Sequence, residues 1–126
     1  MEKTILVPVD GSIASLEAIK FAITMAKAYG DQIKVVNIQQ SHKILGESII
    51  NDAETVLKKE DIPYSSMIRI GTPPSIEIIS EAKDDAVRCI VMGSKGSGNS
   101  SKNLGSVSSA VLKISPCPVV IVPSSE

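Results

Sequence analysis

Five short runs of apolar, mostly β-branched residues alternate with four stretches of helical periodicity, and this alternation restricts the chain to few folds. The runs are Thr4–Val9 (TILVPV), Ile33–Ile38 (IKVVNI), Tyr64–Ile70 (YSSMIRI), Arg88–Met92 (RCIVM) and Val119–Val122 (VVIV). Between the first two, Ile13, Leu16, Ile19, Ile23 and Ala26 recur at helical spacing, and Gly30 supplies the stop. Ile49, Ala53 and Val56, flanked by Ile50 and Leu57, predict a second helix that ends before Asp61-Ile62-Pro63. Ile76, Ile79, Ala82 and Ala86 predict a third, with Thr72 as its N-cap and Pro73 as its first residue. Pro74 works against that start, because a following proline disfavours helical geometry at Pro73. Val107, Ala110, Val111 and Ile114 predict a fourth helix, stopped by Pro116.

Strands joined through helices by short loops make right-handed crossovers, and so a parallel sheet covered on both faces. The expected architecture is one α/β domain over residues 1–126, a doubly wound, Rossmann-like sheet of five parallel strands in the order 3-2-1-4-5. Pro8 is at odds with a central strand, but it lies one residue from that strand's end, where the ladder opens.

A chain of 126 residues buries enough surface to fold without a disulfide or metal staple. One Phe, two Tyr and no Trp imply an aliphatic core and leave almost no ring on which single-stranded bases could stack. The net charge of −1 gives no bulk attraction to nucleic acid or to an anionic membrane. No apolar run is long enough to span a bilayer, and Met1-Glu2-Lys3 leads straight into a strand-like segment rather than a secretory leader. A cytoplasmic protein without a nucleic-acid or membrane partner is expected. Cys89 and Cys117 each adjoin an apolar run and read as reduced structural thiols. Met25, Met67 and Met92 read as packing residues, and His42 as an exposed loop residue with no metal-ligand partners at suitable spacing.

Charge is unevenly distributed. The first 85 residues carry 13 acids against 9 bases, whereas the remainder carries Arg88, Lys95, Lys102 and Lys113 against Glu126 alone. The glycine- and serine-rich segment falls in this basic third, which would favour an anion.

Ligands of open α/β sheets bind beyond the carboxyl ends of the strands, where the winding reverses. Two segments there differ from ordinary connectors: Asp10-Gly11-Ser12 after the first strand, and Gly93 to Ser106 after the fourth. The second is the longest polar stretch, and it runs into a helix start at Gly105-Ser106. Its glycines let backbone N–H groups approach an anion, and the helix adds unpaired N–H groups and its positive dipole end. The segment is neither a Walker A loop nor a dinucleotide fingerprint, and spacing alone fits a flexible Gly/Ser loop equally well.

The blocks TILVPVDGS, IVMGSKGSG…LGSVS and ISPCPVVIV together resemble the universal stress protein family over essentially the whole chain. Gly93, Gly96 and Gly105-Ser106 follow that family's glycine pattern, with eight residues between Gly96 and Gly105, one fewer than the pattern has. The resemblance implies a nucleotide-binding regulatory protein of the stress response, with ATP as cofactor and Mg²⁺ accompanying it. By position, Asp10 would contact the ribose and reach a metal only through bound phosphates. Pro8 and Val9 would line the adenine side, with the backbone at Ile38 pairing the adenine edge. Met92 and Gly93 would border the ribose, and Ser94, Gly96, Gly105, Ser106 and Val107 would cradle phosphates with Ser108 nearby. The plainer reading of Asp10 is a turn or helix-capping residue.

The competing expectation is a ligand-free dimerisation or adaptor module that kept the fold and lost the pocket, as the shortened loop suggests. A phospho-acceptor receiver domain is excluded, since Gly71 and Pro123 stand where its Asp and Lys belong. Efficient ATP hydrolysis is not expected, because the loop offers hydroxyls and lysines but no His, Glu or Arg. A homodimer through strand five is expected, because Val119–Val122 is an uncharged edge while strand three carries Ser65, Ser66 and Arg69.

Overall fold

The computed structural model describes residues 2–95 and 104–124. Among these residues nine elements alternate strictly: β1 Thr4–Pro8, α1 Ile13–Tyr29, β2 Gln32–Gln39, α2 Ile44–Leu57, β3 Tyr64–Ile70, α3 Pro74–Ala82, β4 Val87–Gly93, α4 Ser106–Ile114 and β5 Val119–Val122. The strands form one sheet of order β3-β2-β1-β4-β5, and every pair is parallel. From β1 the chain winds outward to β3, then crosses back to β4 and β5. The switch point lies between β1 and β4.

Period-two alternation in the strands builds two cores. Ile5, Val7, Val9, Ile33, Val35 and Val91 point to one face, where Ala18, Ile19 and Ala22 of α1 and Ile50, Ala53 and Leu57 of α2 cover them. Leu6, Val36, Ile90 and Met92 point to the other, under Ile78, Ile79 and Ala82 of α3 and Val111 of α4. Four alanines of α1 (Ala14, Ala18, Ala22, Ala26) are buried, so its backbone sits close to the central strands. Pro8 is the last residue of β1, and the next amide, Val9 N–H, still reaches the Val36 carbonyl at 2.9 Å.

Two local expectations need correction, both in α3. Pro73 is extended (φ −77°, ψ 159°) and stands at the N-cap, so α3 begins at Pro74, one residue later than predicted with Thr72 as cap. The cause is the ring of Pro74, which excludes helical geometry from the residue before it. That later start puts Ser75, Ile78, Ile79 and Ala82 on the buried stripe and leaves Ile76 exposed. Ala86 lies outside the helix, where its carbonyl accepts from Thr4 N–H. α4 ends at Ile114, within the expected helix, with Ile114 itself exposed and Ser108 and Val111 buried.

Candidate functional site

Asp10-Gly11-Ser12 forms a chain of local bonds that fixes how β1 enters α1. Asp10 Oδ1 accepts from Ser12 N–H at 3.0 Å, and Ser12 Oγ caps α1 by accepting from Ser15 N–H at 3.1 Å. Gly11 between them has φ +86°, a left-handed conformation that a side chain strains. Asp10 is therefore a turn former, and the same turn places it, exposed, on the rim of a cleft at the switch point.

The cleft measures about 330 Å³. Of the residues singled out from the sequence, Pro8, Val9, Asp10, Ile38, Met92, Gly93, Gly105, Ser106, Val107 and Ser108 all line it. Gly96 lies outside the described residues. Ser94 is not part of the wall. Its N–H donates to Val122 O at 3.1 Å, and its carbonyl accepts from Gly105 N–H at 2.7 Å and from Ser108 Oγ at 3.0 Å. Gly93 has a packing reason to be glycine. A Cβ there would stand 2.7 Å from Ala14 Cβ and 3.0 Å from the Ala14 carbonyl carbon, so α1 could not approach β4.

One side of the cleft is apolar, formed by Val36, Ile38, Met92, Pro74 and Ile78. The other is the first turn of α4, which starts without a side-chain cap. An α-helix leaves its first N–H groups without intrahelical acceptors. Gly105 N–H is taken by Ser94, whereas those of Ser106, Val107 and Ser108 have no acceptor among the described residues, and all three residues line the cleft with Lys95. Such an end attracts an anion.

The charge asymmetry contributes less here than the sequence suggests. Arg88, at the start of β4, is bound to Asp31 at the opposite end of the sheet, and Lys113 lies in the last turn of α4. Lys102 lies outside the described residues.

Several wall residues escaped the sequence reading: Asn37, Pro74 and Ile78, with Ser15 and Val36, while Ser12 and Lys95 belong to the two segments it singled out. Asn37 carried a signal, an amide set between Val36 and Ile38 near the carboxyl end of β2. Its side chain is buried and donates to Val9 O at 2.7 Å, tying the end of β2 to the residue before Asp10. Pro74 and Ile78 are held by an ion cluster behind α3. Arg69 binds Glu77 at 2.9 Å and Glu81 at 2.7 Å, and Lys34 binds Glu81 at 2.9 Å. Burial raises the pKa of Glu81, but the hydrogen bonds from Lys34 and Arg69 outweigh it and hold the group below its ordinary 4.5.

His42 is exposed, and among the described residues no three His, Cys, Asp or Glu side chains gather into a metal site. Cys89 and Cys117 are both free, and burial pushes the Cys89 thiol pKa up, away from the reactive thiolate. No helix among the described residues is long and apolar enough to cross a membrane.

The sequence matches the model of the universal stress protein family over residues 1–63 and 40–123. A universal stress protein of Thermus aquaticus is 32% identical over 136 residues, covering 97% of this chain and 99% of its own length. Universal stress protein MJ0531 of Methanocaldococcus jannaschii is 30% identical over 138 residues, covering 95% of this chain and 81% of its own. Among solved structures, a universal stress protein in complex with cAMP superposes with a TM-score of 0.83 at 24% identity, covering 98% of both chains. The Archaeoglobus fulgidus protein in complex with dAMP gives 0.80 at 20%, covering 97% of this chain and 98% of its own. An Arabidopsis thaliana family protein with AMP bound gives 0.77 at 17%, covering 98% of this chain and 92% of its own.

Proposed function

The chain belongs to the universal stress protein family, and from that premise we propose that it is a cytoplasmic regulatory protein of the stress response that binds an adenine nucleotide. One observation carries the binding: the switch-point cleft joins an apolar wall to three N–H groups at the start of α4 that have no acceptor among the described residues, with Asp10 on the rim. The base lies against Ile38, Pro74 and Ile78, and the phosphates meet Ser106, Val107 and Ser108. Asp10 takes the ribose between them. Complexes of structural neighbours with AMP, dAMP and cAMP support this class of ligand.

ATP is the nucleotide proposed. A Mg²⁺ ion would be held by its phosphates and one carboxylate, a normal environment for that ion, and Asp10 is the carboxylate at hand. The described wall holds no His, Glu or Arg to position an attacking water, so hydrolysis is slow, with turnover well below about 1 s⁻¹. An open cleft, with N–H groups that have no acceptor among the described residues, counts against a ligand-free adaptor.

The proposed assembly is a homodimer through β5. Ile90 N–H bonds to Pro118 O and Ser94 N–H to Val122 O, so even-numbered residues face β4 and the backbone groups of Val119 and Ile121 face the open edge. Exposed Ile13 and Phe21 of α1 flank that edge beside Val122. Two-fold antiparallel pairing would satisfy the edge with one self-complementary patch. Light scattering should give twice 13.3 kDa for the wild type and a monomer for Ile121→Pro, which removes an edge N–H. A monomeric wild type at micromolar concentration contradicts the dimer.

Nucleotide binding is tested by denaturing the purified protein and weighing what it releases. An adenine nucleotide in near-stoichiometric amount is expected. A protein that releases none, and takes up none from millimolar ATP in equilibrium dialysis, overturns the reading.

A further inference from the structure

We infer that Ser108 is a positioning residue for the phosphate end of the cleft, acting through the carbonyl of Ser94 rather than on the nucleotide. The inference rests on the proposed nucleotide site and adds a role within it. Ser108 is 2% exposed, and its hydroxyl donates to Ser94 O at 3.0 Å. The same carbonyl accepts Gly105 N–H at 2.7 Å. Ser94 in turn is fixed to the sheet through its N–H to Val122 O at 3.1 Å. The start of α4 thus hangs from one carbonyl at the end of β4, by one backbone bond and one side-chain bond.

Apart from these two bonds, what holds that turn among the described residues is the non-directional packing of Val107 against the core under α3. α4 has no side-chain N-cap, and its buried residues are Ser108 and Val111. With the backbone bond alone, the turn can pivot about Gly105. The hydroxyl supplies the second point of attachment and fixes the direction in which the N–H groups of Ser106, Val107 and Ser108 point. Because the hydroxyl proton is donated to Ser94 O, the oxygen offers a phosphate only its lone pairs, which repel it. A direct phosphate contact by this side chain is disfavoured. Its effect is on the geometry of neighbouring N–H groups.

The consequence is a loss graded by phosphate. In Ser108→Ala the affinity for adenosine should stay within about twofold of wild type, while that for AMP and ATP falls roughly five- to tenfold, one net hydrogen bond's worth. Val111→Ala is the structural control, since it opens the core beneath the same helix but should leave the ratio of AMP to adenosine affinity unchanged. Calorimetry on the three proteins, each checked by circular dichroism, reads the ratios. Equal losses for adenosine and AMP in Ser108→Ala, or no loss for either, overturn the positioning role while leaving the nucleotide site standing. A wild type that binds none of the three ligands overturns both. Hydrogen exchange on the wild type needs no variant: Gly105 N–H should be protected without ligand, and Ser106 and Val107 N–H only after AMP is added. A rapidly exchanging Gly105 N–H in the free protein contradicts the clamp.

Discussion

The two ends of the sheet are built from the same strands and finished in opposite ways. At the amino end, the Asp31 carboxylate is fully buried, accepts Lys3 N–H at 3.0 Å and binds the Arg88 guanidinium, which also lies 4.3 Å from the Tyr29 ring. Backbone bonds from Thr4 to Ala86 and from Gln32 to Lys3 complete the seal. At the carboxyl end, the first N–H groups of α4 have no acceptor among the described residues, and a cleft of about 330 Å³ separates the elements, with Asp10 bonded into the turn at its rim. Paired charge closes one end. Unpaired dipoles keep the other available. Polar groups with internal partners stabilise a fold, whereas those left waiting for a partner mark the place where a ligand supplies it.

The contrast predicts that damage at the two ends separates stability from binding. The largest effect belongs to Gly93→Val, which drives a branched side chain into Ala14 at the cleft floor. It should cost about 3 kcal/mol in urea unfolding and abolish measurable nucleotide binding. Native stability in this variant would show that α1 can retreat from β4. Next comes Asp31→Ala, at about 2 kcal/mol, because Lys3 N–H and Arg88 lose their shared acceptor. Nucleotide affinity should change by less than about twofold. A large loss of affinity there would break the separation of the two ends. Gly11→Ala should cost about 1 kcal/mol, since its left-handed φ of +86° disfavours any side chain. Affinity should fall with it, because the same turn carries Asp10.

The smallest effect is the acid limb of stability. The hydrogen bond from Arg88 is the main cause holding the Asp31 carboxyl below its ordinary 3.8. A carboxylate depressed in the folded state stabilises above its unfolded pKa and loses that contribution as pH falls through the folded value. Unfolding midpoints should therefore drop from about pH 4 downward, and Asp31→Asn should flatten that drop. An unchanged slope in the variant would remove Asp31 from the account of acid sensitivity.

Much of this was legible in the sequence, for reasons that differ by element. The strand runs are continuous in valine and isoleucine because both faces of the sheet are covered, and Gly30 ends α1 in the left-handed conformation a C-cap requires (φ 73°). The Asp10 turn and the helix start at Gly105-Ser106 were readable because tight turns and helix entries demand particular residues. The start of α3 was not, since two consecutive prolines leave competing positions whose difference is one residue. The apolar wall was harder still. Ile78 and Pro74 look like ordinary core and cap residues until α3 is laid over β2, and no spacing shows that the N–H and carbonyl of Ser94 are taken by Val122, Gly105 and Ser108. Local chemistry shows in local spacing. Walls assembled from distant segments do not.

The central claim is that the open end of the sheet binds an adenine nucleotide with its phosphates on α4. Calorimetric titration of the wild-type protein with AMP tests it most directly, with adenosine and inorganic phosphate as separate titrants. Saturable one-to-one binding of AMP, tighter than either fragment, is the predicted result. No saturable heat at millimolar AMP or ATP, or equal affinity for AMP and adenosine, would contradict it.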